Sequence, residues 1–138
     1  METTAKPSQA VSLLLVDDEK VNLELLTAVL ARRFPGVAIH TAVNGRAGLD
    51  LFKTHAPEIV ITDIKMPEMG GVQMTEEIRA LRPDTKIIVI TGDAGGLEGR
   101  DLEENELKVD HFIVKPVAFK KLFEAIDQCL GEIAGQLP

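Results

Sequence analysis

The chain has 138 residues, 45% of them hydrophobic and 27% charged, and a formal net charge of −7. That length favours one domain with an ordinary core, and no apolar run is long enough to span a bilayer. The acidic balance, the lack of a basic stripe and the absence of Trp and Tyr to stack on bases argue against direct nucleic-acid binding.

Residues 1–10 are polar and lack the apolar stretch of a signal peptide, so they read as a flexible lead-in. The domain is expected over 11–134, with a short tail over 135–138. Apolar runs predict strands at Ser12–Val16, Val37–Thr41, Glu58–Thr62, Lys86–Thr91 and His111–Val114. Several are apolar nearly throughout, as expected where both faces of a sheet are covered. Helical periodicity alternates with them. Lys20–Arg33 repeats Val21, Leu25, Ala28 and Val29, and Gly45–His55 carries Ala47, Leu51 and Phe52. Gly71–Leu81 carries Met74, Ile78 and Leu81, and Val117–Ile133 carries Phe119, Leu122, Phe123, Ile126 and Leu130. Pro35-Gly36, Asn44-Gly45 and Arg82-Pro83-Asp84 supply the punctuation. A fourth helix before the last strand is expected to start late, because Gly92, Gly95, Gly96 and Gly99 precede Asp101–Lys108. The pattern is five βα units: an α/β chain with a parallel sheet between helices. Cys129 excludes an intramolecular disulfide and falls in an amphipathic pattern, as a buried structural thiol does. Together these features favour the cytoplasm.

The chemistry gathers where the apolar runs stop. The first run ends at Asp17-Asp18, the third at Asp63, the fourth at Thr91 and the fifth at Lys115. Ligands of open parallel sheets bind beyond the carboxyl ends of the strands. Carboxylates brought together there repel unless a hard cation joins them, and Mg2+ suits one or two carboxylates with several waters. His40, His55 and His111 fall at unrelated positions and give zinc no framework. A hydroxyl, an ammonium and a metal suit three phosphoryl oxygens, and Asp63 can then serve as the nucleophile that forms an aspartyl phosphate.

Val16-Asp17-Asp18-Glu19, Asp63-Ile64-Lys65-Met66-Pro67 with Gly70-Gly71, Thr91 and Lys115-Pro116 resemble the receiver domain of bacterial two-component response regulators, over roughly residues 11 to 134. The resemblance implies a flavodoxin-like (βα)5 doubly wound fold with strand order 2-1-3-4-5. It implies Asp63 as phosphoacceptor, Asp18, Asp63 and the backbone carbonyl of Lys65 as Mg2+ ligands, and Asp17 acting through water. Thr91 and Lys115 would contact the phosphoryl group, Thr91 and Phe112 would form the switch, and Lys115-Pro116 would be a cis peptide. It also implies a signalling switch rather than an enzyme. The phosphoryl group would come from a histidine kinase or histidine phosphotransfer protein. The face formed by the fourth helix, fifth strand and fifth helix would act on a downstream protein or a covalently linked output domain, or form a homodimer.

Three departures stand out. Gly92 replaces the usual small residue after the Thr. Lys65 and Asp93 flank the site with opposite charges, either as a bridge that tunes aspartyl-phosphate lifetime or as two exposed charges. Gly92–Gly99 and Lys108-Val109 depart from the usual surroundings of the fourth helix. The nearest enzyme reading is a haloacid-dehalogenase-like phosphohydrolase using Asp63, but it wants an acidic residue where Lys65 stands. A flavodoxin-like flavin site would want a phosphate-binding loop where Asp17-Asp18-Glu19 repel phosphate. The initial Met reads as a natural N-terminus, and the chain fits either a stand-alone receiver or a piece of a larger regulator or hybrid kinase.

Overall fold

The computed structural model of the protein describes residues 11–66, 69–92 and 109–136. Five strands, β1 (Ser12–Val16), β2 (Ala38–Ala42), β3 (Ile59–Asp63), β4 (Lys86–Thr91) and β5 (His111–Val114), form one sheet in the order β2-β1-β3-β4-β5. Every neighbouring pair is parallel. This is the flavodoxin-like doubly wound order that the resemblance implied. Four helices accompany the strands among the described residues: α1 (Lys20–Arg33), α2 (Gly45–His55), α3 (Gly71–Leu81) and α4 (Phe119–Gln136).

Strand side chains alternate between two cores, because successive residues point to opposite faces. Leu13, Leu15, Ile59, Ile61 and Ile88 pack beneath α1 and α4, while Leu14, Val16, Val60, Ile87 and Val89 pack beneath α2 and α3. β1 and β3 are buried along their whole length, which is why their sequences are apolar without alternation. β2 and β5 are the outer strands of the described sheet, and β2 is largely open, with Ala38 and Thr41 exposed.

Several expectations need correction. α1 does not bury the predicted stripe: Val21 and Leu25 are 77% and 53% exposed, and Leu23, Leu26 and Leu30 face the core instead. This helix is apolar on more than one side, so periodicity allowed two faces, and the sheet chose the one carrying three leucines. Leu81 is exposed, at the end of α3 where the helix leaves the sheet. β2 and β3 each lie one residue later than predicted. The last helix begins at Phe119 rather than Val117, and it runs to Gln136, into the expected tail. The predicted fourth helix, most of Gly92–Gly99, and the ends at 1–10 and 137–138 lie outside the described residues.

Two glycines permit close approaches around β3. A Cβ on Gly71 would lie 2.1 Å from the Asp63 carbonyl oxygen, and one on Gly45 would lie 2.1 Å from that of Met69. The Gly71 N–H donates to Ile64 O at 2.7 Å and the Gly45 N–H to Met69 O at 3.1 Å. The segment after Asp63 is thereby pinned to the starts of both α2 and α3. The Asn44 side chain caps α2, accepting from the Ala47 N–H at 2.7 Å.

Candidate functional site

Strand register decides what meets at the carboxyl edge of the sheet. Val16 pairs with Thr62, Asp63 with Ile90, and Thr91 with Val114. The next residues, Asp17 after β1 and Lys115 after β5, therefore flank Asp63 and Thr91. One carboxylate oxygen each from Asp17, Asp18 and Asp63 lie within 4.8 Å of one another. Asp17 and Asp63 are buried, whereas Asp18 is exposed at the mouth.

Each group is held by backbone. The Asp17 N–H donates to Ala42 O at 3.1 Å, and its Oδ1 accepts from the Glu19 N–H at 2.9 Å. Asp63 Oδ1 accepts from the Ile64 N–H at 2.8 Å, and Asp63 Oδ2 accepts from Lys115 Nζ at 2.5 Å. The Lys115 N–H donates to Thr91 O at 2.8 Å, which ties the last two strand ends together. The Lys115-Pro116 peptide is cis, as the resemblance implied. Thr91 is fully buried.

The electrostatics follow from crowding. Burial raises the Asp17 carboxyl above its ordinary value, the Glu19 N–H opposes that, and the Asp63 and Asp18 carboxylates add to it. Burial alone would lower the Lys115 ammonium, but the hydrogen bond and charge of Asp63, with Asp17 and Glu19, hold it raised. The site thus offers a compact set of hard oxygen donors beside a fixed cation. That donor set fits a magnesium ion, which takes oxygen ligands, and offers no nitrogen or thiolate for softer metals.

The structure brings together Asp17, Asp18, Asp63, Thr91 and Lys115. Lys65 is exposed beside them, and Asp93 lies outside the described residues, so the pairing of the two does as well. Phe112 is 47% exposed on β5, opposite Val89 in register and on the same face of the sheet as Thr91. Sequence reasoning missed a cavity of about 240 Å³ beside the carboxylates. Asp17 and Lys115 line its inner end, and Leu25, Leu26, Val117 and Phe119 line its apolar walls. The second apolar side of α1 was its only signal.

The model of the response regulator receiver domain matches residues 13–127. The chain belongs to the receiver domain family. It is 34% identical over 115 residues to the chemotaxis protein CheY of Thermotoga maritima, covering 83% of this chain and 93% of that protein. It is also 34% identical over 122 residues to the transcriptional regulatory protein GlrR of Escherichia coli, covering 88% of this chain but 27% of GlrR. The receiver thus spans about a quarter to a half of the curated transcriptional regulators that it matches, and nearly all of CheY. Among solved structures, a CheY-like receiver domain protein from Methanospirillum hungatei superposes with a TM-score of 0.80 at 30% identity, covering 92% of this chain and 98% of that one. The response regulator TrrA of Thermotoga maritima, solved in complex with Mg2+-BeF, gives 0.74 at 34% identity, covering 86% and 98%. None of these findings favours the phosphohydrolase alternative. No helix among the described residues is long and apolar enough to cross a membrane.

Proposed function

We propose that this receiver accepts a phosphoryl group on Asp63 from a histidine kinase or histidine phosphotransfer protein and works as a cytoplasmic signalling switch. The observation that carries the reading is the Lys115 ammonium on Asp63 Oδ2, within a cluster of three carboxylates. In the transfer, an oxygen of Asp63 forms a bond to phosphorus as the donor's N–P bond breaks, and the imidazole nitrogen leaves with that electron pair. Lys115 is already placed to follow the new charge from carboxylate to phosphoryl oxygen. The Thr91 hydroxyl supplies a second donor when it turns toward the phosphoryl group. Asp18, Asp63 and the Lys65 carbonyl would hold a magnesium ion, with Asp17 acting through water. Bound there, the ion would neutralise the clustered carboxylates and the incoming phosphoryl oxygens.

The switch reading rests on Thr91 and Phe112. Moving a two-state population from 10:90 to 90:10 takes about 2.6 kcal/mol. A charge-assisted hydrogen bond from Thr91 or Lys115, at roughly 1.5–3 kcal/mol, is of that size. Phe112, now outward, would fill space that Thr91 vacates, altering the face that includes β5 and α4. That face would act on a downstream protein or an output domain, or on a second receiver. Lys65, at the mouth, would modulate phosphoryl lifetime together with Asp93.

Incubation with acetyl phosphate and Mg2+, read by intact mass, tests the proposal. Wild type should gain one labile phosphoryl group and Asp63→Asn none; equal labelling of the two would refute it.

A further inference from the structure

A pair of histidines lies away from the carboxylate cluster. His40 stands at the middle of β2, opposite Leu14 of β1, with its side chain on the face that α2 covers. His55 is the last residue of α2 and sits in the turn closed by the Ala56 N–H to Phe52 O at 2.7 Å. The two rings stack with centroids 4.1 Å apart and planes 16° from parallel. Parallel rings point their nitrogen lone pairs side by side rather than toward one point, so this arrangement does not chelate a metal as it stands. What it does is make the His40 ring sensitive to a charge on His55.

We propose that the His40–His55 stack is a proton-operated clasp between the edge strand and the end of α2, closed when at most one ring is charged and opened when both are. One imidazolium against one neutral ring is a cation over a π face, which is favourable. A second proton places two cations face to face, with no carboxylate between them. Burial, and then the charge of His55, lower His40 below its ordinary 6.5. β1 contributes Ser12, Leu14 and Val16 to this face, the Ser12 N–H donates to Glu58 Oε1 at 2.8 Å, and the remaining charged residues of α2 are Arg46, Asp50 and Lys53. The edge position matters because β1 is the only strand neighbour of β2 among the described residues, so the helices on its two faces, α1 and α2, are its remaining support. Because the folded chain resists protonation of His40, the clasp's contribution is whole above pH 6.5. It is lost as pH falls below that value, where the unfolded chain takes up the proton first.

Histidine Cε1–H titration by NMR tests this in wild type, His55→Asn and His55→Phe, the last keeping a flat ring that takes no proton. His40 should titrate below 6.5 in wild type and move up in His55→Phe. Amide protection factors along β2, taken relative to the slower intrinsic exchange at low pH, should fall between pH 7 and 5 in wild type more than in that variant. An unchanged His40 titration in both variants would overturn the proposal, as would β2 exchange with the same pH dependence in wild type and His55→Phe. His55 is exposed, so both variants should fold.

Discussion

The ammonium of Lys115 lies 2.5 Å from Oδ2 of Asp63, although 52 residues separate them in the chain. Lys115 owes that position to its N–H on the Thr91 carbonyl, and Asp63 to its place at the end of the buried central strand β3. On the proposed function, geometry of this kind would precede the phosphoryl group, so little rearrangement would be needed to stabilise the charge that transfer would bring.

Asp17 gives a pH-dependent prediction. Its carboxyl is raised by burial, so the unfolded chain ionises it first, near 3.8. From there up through the raised folded value, the folded state holds more protons, and stability falls with rising pH. In metal-free buffer at neutral pH, Asp17→Asn should therefore denature at a higher urea concentration than wild type. Its side-chain oxygen can still accept from the Glu19 N–H. Added Mg2+ should stabilise wild type more than the variant, and a less stable metal-free variant would contradict the assignment.

Gly71 admits no side chain. A Cβ there meets backbone at Asp63 rather than the movable tip of a side chain. Gly71→Ala should cost about 1–3 kcal/mol in urea denaturation, the range for overpacking a closed site. It should also slow phosphorylation of Asp63 by displacing its strand end. Full stability with normal labelling would show that α3 moves away freely.

Leu25 is more than half exposed yet lines the apolar wall beside Asp17 and Lys115. On the proposed function, a protein donor would have to close over this mouth to deliver its phosphoryl group, while acetyl phosphate would not. Leu25→Glu should slow transfer from a phosphorylated histidine protein by about tenfold, the effect of losing one interface anchor. Labelling by acetyl phosphate should keep its wild-type rate. Equal slowing with both donors would place the defect in the pocket instead.

Cys129 is fully buried between α4 and the sheet, and burial pushes its thiol up to about 12. At pH 8 the thiolate fraction is then about one in ten thousand, and the thiolate is the reactive form. A thiol reagent should leave the native protein unmodified and react fully once it is unfolded in urea. Rapid labelling of the native state would contradict the burial.

The sequence was most legible where an apolar run met a charge. Asp17 and Asp63 stand at the ends of buried strands and Lys115 at the end of the half-open β5, and a charge that stops an apolar run is what an edge-of-sheet site looks like in one dimension. β2 was less legible because an edge strand needs no unbroken apolar run, so Val37 and Ala42 were ambiguous ends. The face of α1 was misread because Val21 and Leu25 fit a helical stripe as well as Leu23, Leu26 and Leu30 do. Only the sheet position distinguishes the two stripes. The stacking of His40 on His55 had no local signal, since it depends on how the end of α2 falls against the middle of β2.

The most direct measurement is the position of the phosphoryl group itself. Acyl phosphates are reduced by borohydride to alcohols, which marks the residue that carried the group. After labelling with acetyl phosphate and Mg2+, reduction and peptide mass spectrometry should place the mark on Asp63. A mark on Asp17, Asp18 or any other residue, with Asp63 intact, would contradict the account.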